Sequence, residues 1–335
     1  MSEIYLVFVV FLFVLAVFDL MVGVSNDAVN FLNSAIGAKV AKFRTIIIVA
    51  AVGVFMGATM SNGMMEVARN GVFHPAMFSL KELMFIFLAV MISDVILLDI
   101  FNNLGLPTST TVSLVFELLG GTTAFVLLKL ANDTTGLTIG DLMNTEKALG
   151  MIMAIFVSVA IAFFFGIVLQ YISRLVFTFT YKKNLKWKIG LFGGVATTAI
   201  FYFMLFKGIK SMSFVTPEIY EYIQNHTLAI LGICFLASTA IMQFLYFLKV
   251  NVFKILVLMG TFALAMAFAG NDLVNFIGVP LAGYSAYTDF AASGASDPST
   301  FMMSSLEGPA KSPIIFLVAA GAVTSNAAPS GRLAS

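Results

Sequence analysis

Asn26-Asp27-Ala28-Val29-Asn30-Phe31 ends a long apolar stretch at the start of this chain, and Asn271-Asp272-Leu273-Val274-Asn275-Phe276 repeats its pattern near the other end. A carboxylate and two carboxamides are costly to place at membrane depth, and residues of this kind mark functional sites there. Two matching copies therefore predict a duplicated membrane protein in which both halves contribute to one site.

The overall composition is that of a membrane protein. Of the 335 residues, 60% are hydrophobic and only 10% are charged, whereas a soluble domain is about 25% charged. The sequence predicts an all-α, polytopic transmembrane helical protein. Apolar runs long enough to cross a bilayer lie at 4–24, 45–66, 83–100, 106–130, 148–173, 189–207, 228–248 and 252–269, followed by a less regular stretch at 273–288 and a last run that begins near Lys311.

Basic residues in the loops predict the orientation of these spans. With the N-terminus outside, the inside loops carry more Lys and Arg than the outside loops, as the positive-inside rule requires. We therefore expect a multi-pass protein of the cell (inner) membrane with an outside N-terminus. The first motif copy then follows an inward-running span and the second copy an outward-running span, so the sequence predicts inverted repeats.

The 106–130 segment is too polar for a plain lipid-facing helix. It opens with Leu106-Pro107-Thr108-Ser109-Thr110-Thr111 and later contains Glu117 and Gly120-Gly121. Irregular backbone at membrane depth is tolerated only against protein or a water-filled cavity, so we expect a re-entrant or discontinuous helical hairpin near 104–130. Proline beside hydroxyl residues is typical of a helix N-terminus, which favours an anion; the simpler alternative is an ordinary helix cap.

Acidic residues within or near the spans require a positive companion. Two charges ~4 Å apart repel by about 4 kcal/mol at an effective dielectric constant of 20, so an anion beside Asp27 and Asp272 needs sodium or a proton bound with it. Oxygen-rich clusters suit hard cations such as sodium. Three further acids are candidate accessory groups: Glu66, Asp94 and Glu117. Glu66 is alternatively the partner of Arg69 in an ion pair.

Other classes of chemistry have little support in the sequence. The two histidines and the one cysteine form no pattern typical of a transition-metal site, and no pair of nucleophile and base predicts an enzyme. We expect no cofactor beyond the coupling ion. The basic 181–188 linker is expected to lie at the lipid headgroups of the bilayer, and no nucleic-acid partner is predicted.

At these motifs the chain resembles the inorganic phosphate transporter (PiT) family, the sodium- or proton-coupled phosphate symporters. The family's Gly-x-Asn-Asp-x-x-Asn motif is similar to 23–30 and 269–275, and its Pro-x-Ser-Thr-Thr motif is similar to 106–111. The 64–69 stretch resembles the acidic helix end of many bacterial members. Two departures stand out: Val112 follows the hydroxyl string where the family often has His, and no second Pro-x-Ser-Thr-Thr string occurs before Ser335.

The resemblance implies a set of site residues, and it implies a homodimer, since several members of the family form one. The implied phosphate ligands are Asn26, Asp27, Ser109, Thr110, Thr111, Asn271 and Asp272. The implied sodium ligands are Asp27, Asn30, Asp272 and Asn275.

The predicted organisation places the first inverted repeat at 1–175, a basic linker with intervening spans at 176–250, the start of a second repeat at 251–324, and a non-native tail at 325–335 of a C-terminally truncated chain. The predicted function is secondary active import of inorganic phosphate by symport with sodium or protons, with alternating access around a midplane site. Two alternatives stay open: transport of sulfate or another oxyanion in the same fold, and a cation channel lined by the acids.

Overall fold

A computed structural model of the chain describes residues 2–60, 67–132, 136–177, 185–208, 216–271, 273–308 and 313–327. Within these ranges the regular elements are helical, apart from two isolated β-bridges. The α-helices are α1 (Ser2–Gly37), α2 (Phe43–Met60), α3 (Leu80–Leu104), α4 (Thr110–Ala131), α5 (Ile139–Leu142), α6 (Thr145–Phe177), α7 (Lys188–Gly208), α8 (Pro217–Asn225), α9 (Thr227–Phe247), α10 (Val252–Asn271), α11 (Leu273–Ser293) and α12 (Ile314–Ala327).

Several of these helices are long and apolar enough to cross a bilayer, which confirms the all-α, multi-pass prediction. In the described part of the chain the spans by length and composition are Glu3–Gly37, Leu80–Leu104, Thr110–Ala131, Thr145–Phe177, Thr227–Phe247 and Val252–Ser293, with shorter apolar helices at Phe43–Thr59, Lys188–Met204 and Ile314–Ser325. The predicted first span, 4–24, ends too early, because α1 continues through the first motif to Gly37. No proline interrupts this stretch, so the backbone remains helical.

Helices α3 and α4 form an antiparallel hairpin. The structure shows no break at Gly120-Gly121: α4 is continuous from Thr110 to Ala131, and the irregular segment lies before it, between Gly105 and Ser109. Gly105 ends α3 with φ 67°, a left-handed conformation that favours glycine. The hydroxyl string thus belongs to the turn and the first helical turn of α4, and not to an interrupted span.

The opposite end of this hairpin is fixed by an ion pair. Ser79 and Glu82 form a capping box that starts α3. Glu82 also accepts a hydrogen bond from Lys129 near the end of α4, with Nζ and Oε2 3.0 Å apart. Lys129 donates a further bond to the Met77 carbonyl oxygen at 2.7 Å. These contacts connect the start of α3 to the end of α4.

Helices α2 and α10 pack closely and run parallel to each other. A Cβ atom added at Gly53 would lie 2.6 Å from the Phe262 carbonyl oxygen, and one added at Gly57 would overlap the Met266 backbone. Small residues four apart allow such backbone contact between membrane helices. This contact connects the first part of the chain to the helix that carries the second motif.

Helix α1 crosses the second motif in the opposite direction. The Phe31 ring lies 5.5 Å from the Phe268 ring, whereas the Phe276 ring packs where a side chain on Gly23 would be. Along α1 the chain thus passes from the contact with Phe276 to the contact with Phe268, which is the reverse of their order in the sequence. The two motif copies lie on antiparallel backbone segments.

The close contact between α2 and α10 gives a stability prediction. Gly57→Ala should lower the free energy of unfolding by about 1–3 kcal/mol, because overpacking against backbone atoms cannot be relieved by a rotamer change. Gly260→Ala on α10 is the matched control, since a Cβ atom there meets no atom within 4 Å. Thermal unfolding of the purified protein in detergent measures both, and equal unfolding temperatures would contradict the close contact.

Candidate functional site

The Asn26 side chain connects α1 to the tip of the α3–α4 hairpin. Its Nδ2 atom donates to Asn102 Oδ1 at 2.9 Å and to the Leu106 carbonyl oxygen at 3.0 Å, while its Oδ1 atom accepts from the Thr108 backbone amide at 2.8 Å. Asn26 is buried. Both amide hydrogens and the carbonyl oxygen of this carboxamide are therefore engaged by the protein in this conformation.

Asn102 belongs to the same hydrogen-bond network as Asn26, and the sequence analysis did not predict it. Besides accepting from Asn26, its own Nδ2 atom donates to the Val22 carbonyl oxygen at 2.8 Å. It lies in the last turn of α3, immediately before Asn103 and Gly105. Two consecutive asparagines at the end of an apolar helix were the signal that could have revealed it.

Asp27 and Asn30 lie on α1 next to Asn26, one turn apart. Asp27 is 4% exposed, and its Oδ1 atom accepts from Asn30 Nδ2 at 3.4 Å. A buried carboxylate beside a carboxamide concentrates oxygen atoms at one point of the helix, which is the donor chemistry that a hard cation requires.

The second motif reaches the hydroxyl string through Asn275. The Asn275 Nδ2 atom on α11 donates to Thr111 Oγ1 in the first turn of α4 at 2.8 Å. This bond joins residues that the sequence analysis assigned to the sodium and phosphate sites, respectively. The Asn271 side chain and all of Asp272 lie outside the described residues, as does Glu66.

Ser109 acts as the N-cap of α4. Its Oγ atom accepts from the Val112 backbone amide at 3.4 Å, and its side chain is exposed. The helix-cap alternative from the sequence analysis thus describes Ser109 in this conformation. Thr110, the next residue, is buried. The N-terminus of α4 therefore presents hydroxyl groups and the positive end of its dipole at the same place.

The predicted accessory acids Asp94 and Glu117 meet at Ser113, one turn further along α4. Ser113 Oγ lies 2.6 Å from Asp94 Oδ1 and 2.9 Å from Glu117 Oε1. Asp99, the next acid along α3, is exposed and accepts from Asn103 at 3.0 Å. Arg69, the candidate partner of Glu66, donates to the carbonyl oxygens of Ser305 and Leu306.

These elements define a class of protein: a polytopic helical membrane protein whose buried polar site forms where two antiparallel motif segments meet a hydroxyl-rich hairpin tip. The model of the phosphate transporter family (PHO4) matches residues 23–324, and the chain therefore belongs to this family. Membership confirms phosphate transport as the predicted activity and confirms that the chain is not an enzyme.

A solved structure has a similar fold. It is titled "The sodium-dependent phosphate transporter", and it aligns with a TM-score of 0.67 and 19% sequence identity over 96% of this chain and 74% of that chain. At this level of identity the likeness establishes the fold alone. No curated protein matches the chain.

The hydrogen bonds of Asn26 give a prediction that can be tested without a transport assay. Asn26→Ala should accelerate deuterium exchange in the peptide that contains Thr108, because the amide of Thr108 loses its acceptor and each broken buried hydrogen bond costs about 1–3 kcal/mol. Hydrogen–deuterium exchange mass spectrometry in detergent measures this. Asn132→Ala at the exposed far end of α4 is the control, and identical exchange in the two variants would contradict the assigned contact.

Proposed function

We propose that the chain imports inorganic phosphate by symport with sodium, with alternating access around the site that Asn26 and Asn275 share with the hairpin tip. The observation that carries this proposal is the bond from Asn275 to Thr111. It joins the second motif to the hydroxyl string, whose preceding turn is held by the first motif through Thr108.

The antiparallel arrangement of the motif segments supports alternating access. Phe31 and Phe276 occupy the same position in the two copies, as do Gly23 and Phe268. The contact of Phe31 with Phe268 and that of Gly23 with Phe276 are therefore equivalent under an inversion of the repeats. Secondary transporters with inverted repeats expose a midplane site to each side of the membrane in turn.

The α4 N-terminus supplies the chemistry that an oxyanion requires. Hydroxyl groups of Ser109, Thr110 and Thr111 and the positive end of the helix dipole favour a tetrahedral anion there. Asn26, Asp27, Asn271 and Asp272 complete the proposed phosphate ligands. In this proposal the Ser109 hydroxyl exchanges its capping bond for the ligand, and Asn26 exchanges one of its present bonds to the hairpin tip.

Sodium explains how phosphate can bind beside Asp27. An uncompensated carboxylate and anion ~4 Å apart would repel by about 4 kcal/mol at an effective dielectric constant of 20. Asn30 and Asn275 use their amide nitrogens within the protein, so their carbonyl oxygens are the atoms that suit a cation. With Asp27 and Asp272 they form the proposed sodium site. A sodium-dependent transporter with a similar fold supports this ion over the proton.

The setting of the transporter also remains a proposal. We propose that the protein lies in the inner membrane with its N-terminus outside, as the loop charges suggest. We also propose that it works as a homodimer, as several members of the PiT family do.

Flux of radiolabelled phosphate into proteoliposomes tests the proposal. Uptake should saturate, require an inward sodium gradient, and resist competition by sulfate. Uptake that sulfate abolishes would favour the wider oxyanion alternative, and sodium flux that neither saturates nor depends on phosphate would favour a channel. Repeating the measurement at two pH values separates sodium coupling from proton coupling.

The contact between Asn275 and Thr111 gives a prediction about affinity. Thr111→Val should weaken phosphate binding by about tenfold, because a hydrogen bond to a charged ligand contributes about 1.5 kcal/mol. Thr123→Val, an exposed position on the same helix, is the matched control. Isothermal calorimetry in saturating sodium measures both, and wild-type affinity in Thr111→Val would remove this residue from the site.

The coupling carboxylates give a separate prediction. Asp27→Asn and Asp272→Asn should each abolish sodium-dependent phosphate uptake while the protein remains folded, because the neutral amide no longer supplies the negative charge that holds the cation. Proteoliposome flux at varied sodium concentration measures this, with size-exclusion chromatography as the test of folding. Unchanged sodium dependence in both variants would exclude these residues from the cation site.

A further inference from the structure

We propose that Asp19, Asp94 and Glu117, bridged by Ser113, form a proton-binding site that lies apart from the phosphate site and controls the packing of α1 against the α3–α4 hairpin. Proton binding at this cluster is a property of the folded protein and does not depend on transport. The effect of these protons on phosphate uptake rests on the proposed function.

The first observation is the burial of the Asp19 carboxyl group. The side chain is 0% exposed, and among the described residues neither carboxylate oxygen meets an amide, hydroxyl or basic donor. Its hydrogen-bond contact is with another acid, the Asp94 carboxyl group. An isolated carboxylate in such a place costs several kcal/mol, and such groups are neutralised by a proton or paired with a cation. Asp19 therefore needs a positive companion that the surrounding side chains do not supply.

The neighbours of Asp19 make this need greater. The ionisable groups that act most strongly on it are Asp94 from α3 and Glu117 from α4, and both are acids. The ion pair in the described part of the chain, between Lys129 and Glu82, lies elsewhere. Two buried acids, Asp19 and Asp94, thus lie beside the half-buried Glu117, and their like charges disfavour ionisation of all three at once.

Ser113 gives the second, independent observation. Its single hydroxyl hydrogen can be donated to only one acceptor, yet its oxygen lies within hydrogen-bond distance of both Asp94 Oδ1 and Glu117 Oε1. For both contacts to be hydrogen bonds, one of the two carboxyl groups must donate. This geometry requires a proton on Asp94 or Glu117.

A proton fits the cluster better than a metal ion. In the described ranges, no group of three His, Cys, Asp or Glu side chains is arranged to hold a metal. Glu117 Oε2 is also buried without a hydrogen-bond partner, as expected of a carboxyl group that shares protons and does not bind a cation with both oxygens. The ligand of this site is therefore the proton itself.

The position of the cluster connects it to the phosphate site. Asp19 precedes Asn26 on α1, Asp94 precedes Asn102 on α3, and Ser113 follows Ser109 on α4, so the same three helices build both places. The acids lie about two helical turns, roughly 10 Å, from the hairpin tip. The second motif copy has Leu264 where the first has Asp19, so the acid is not an element that both repeats require.

The expected direction of the change in phosphate affinity with pH follows from charge repulsion. When pH rises and protons leave the cluster, the carboxylates repel each other and push α1 away from α3 and α4. This separation strains the bonds from Asn26 to Leu106 and Thr108 and weakens phosphate binding. Apparent phosphate affinity should fall by up to about tenfold per pH unit for one linked proton, above the pH at which the cluster titrates.

Infrared difference spectroscopy of the purified protein tests the protons directly and without transport. Wild type should show the carbonyl stretch of a buried protonated carboxyl group, sensitive to deuterium oxide, and Asp19→Asn or Glu117→Gln should lose part of it. Asp99→Asn, an exposed acid on the same helix as Asp94, is the matched control and should leave the band unchanged. A wild-type spectrum without the band would overturn the proposal, as would a band that persists unchanged in Asp19→Asn, Asp94→Asn and Glu117→Gln.

Two further arms separate the proposal from its alternatives. Sodium added at constant pH should leave the band unchanged; its loss would show that sodium displaces the proton and would overturn the assignment. In proteoliposomes, Asp19→Asn should retain sodium-dependent uptake, and its uptake should vary less with pH than that of Asp99→Asn. Ionisation of phosphate itself affects both variants equally, so the comparison cancels it. Identical profiles would overturn the link to transport, whereas absent uptake in wild type would instead contradict the proposed function.

Discussion

The carboxamide of Asn26 is the contact on which the geometry of the site depends. It connects the first motif helix to the end of α3 and to the turn before α4 through three hydrogen bonds. In a low-dielectric interior the loss of a single bond leaves a buried polar group without compensation. This cost fixes the turn between Leu106 and Ser109, and with it the position of the α4 N-terminus where Asn275 bonds to Thr111.

Close helix packing makes this arrangement of polar groups achievable. Membrane helices gain little from the hydrophobic effect among themselves and associate through small residues and backbone contact. Gly53 and Gly57 bring α2 onto α10, while Gly23 accommodates the Phe276 ring against α1. The second motif is therefore held against the first by apolar contacts, and the polar residues between them are not needed to hold the helices together.

The sequence predicted the fold class, whereas the local geometry of the helices and of the candidate site depends on contacts that one segment of sequence does not reveal. Repetition and hydropathy were sufficient for the spans and the two motifs, because both follow from composition along one segment. They were insufficient for Asn102 and Ser113, whose roles arise from contacts between helices. The sequence predicted a re-entrant or discontinuous hairpin near 104–130, whereas α4 is continuous from Thr110 to Ala131, because polarity in one segment does not reveal that neighbouring helices satisfy it. Glu117 was predicted only as an accessory acid, and its place beside Ser113 and Asp94 follows from the packing of α3 against α4.

The two ends of the α3–α4 hairpin are secured by bonds of different kinds. The base combines the ion pair of Lys129 and Glu82 with a capping box and a bond to the Met77 carbonyl oxygen, whereas the tip is held by the neutral carboxamides of Asn26 and Asn102. Any rocking of the hairpin that opens the site would therefore pivot at its base. Because a lever amplifies movement with distance from its pivot, a small tilt at Glu82 would displace Ser109 and Thr111 the furthest.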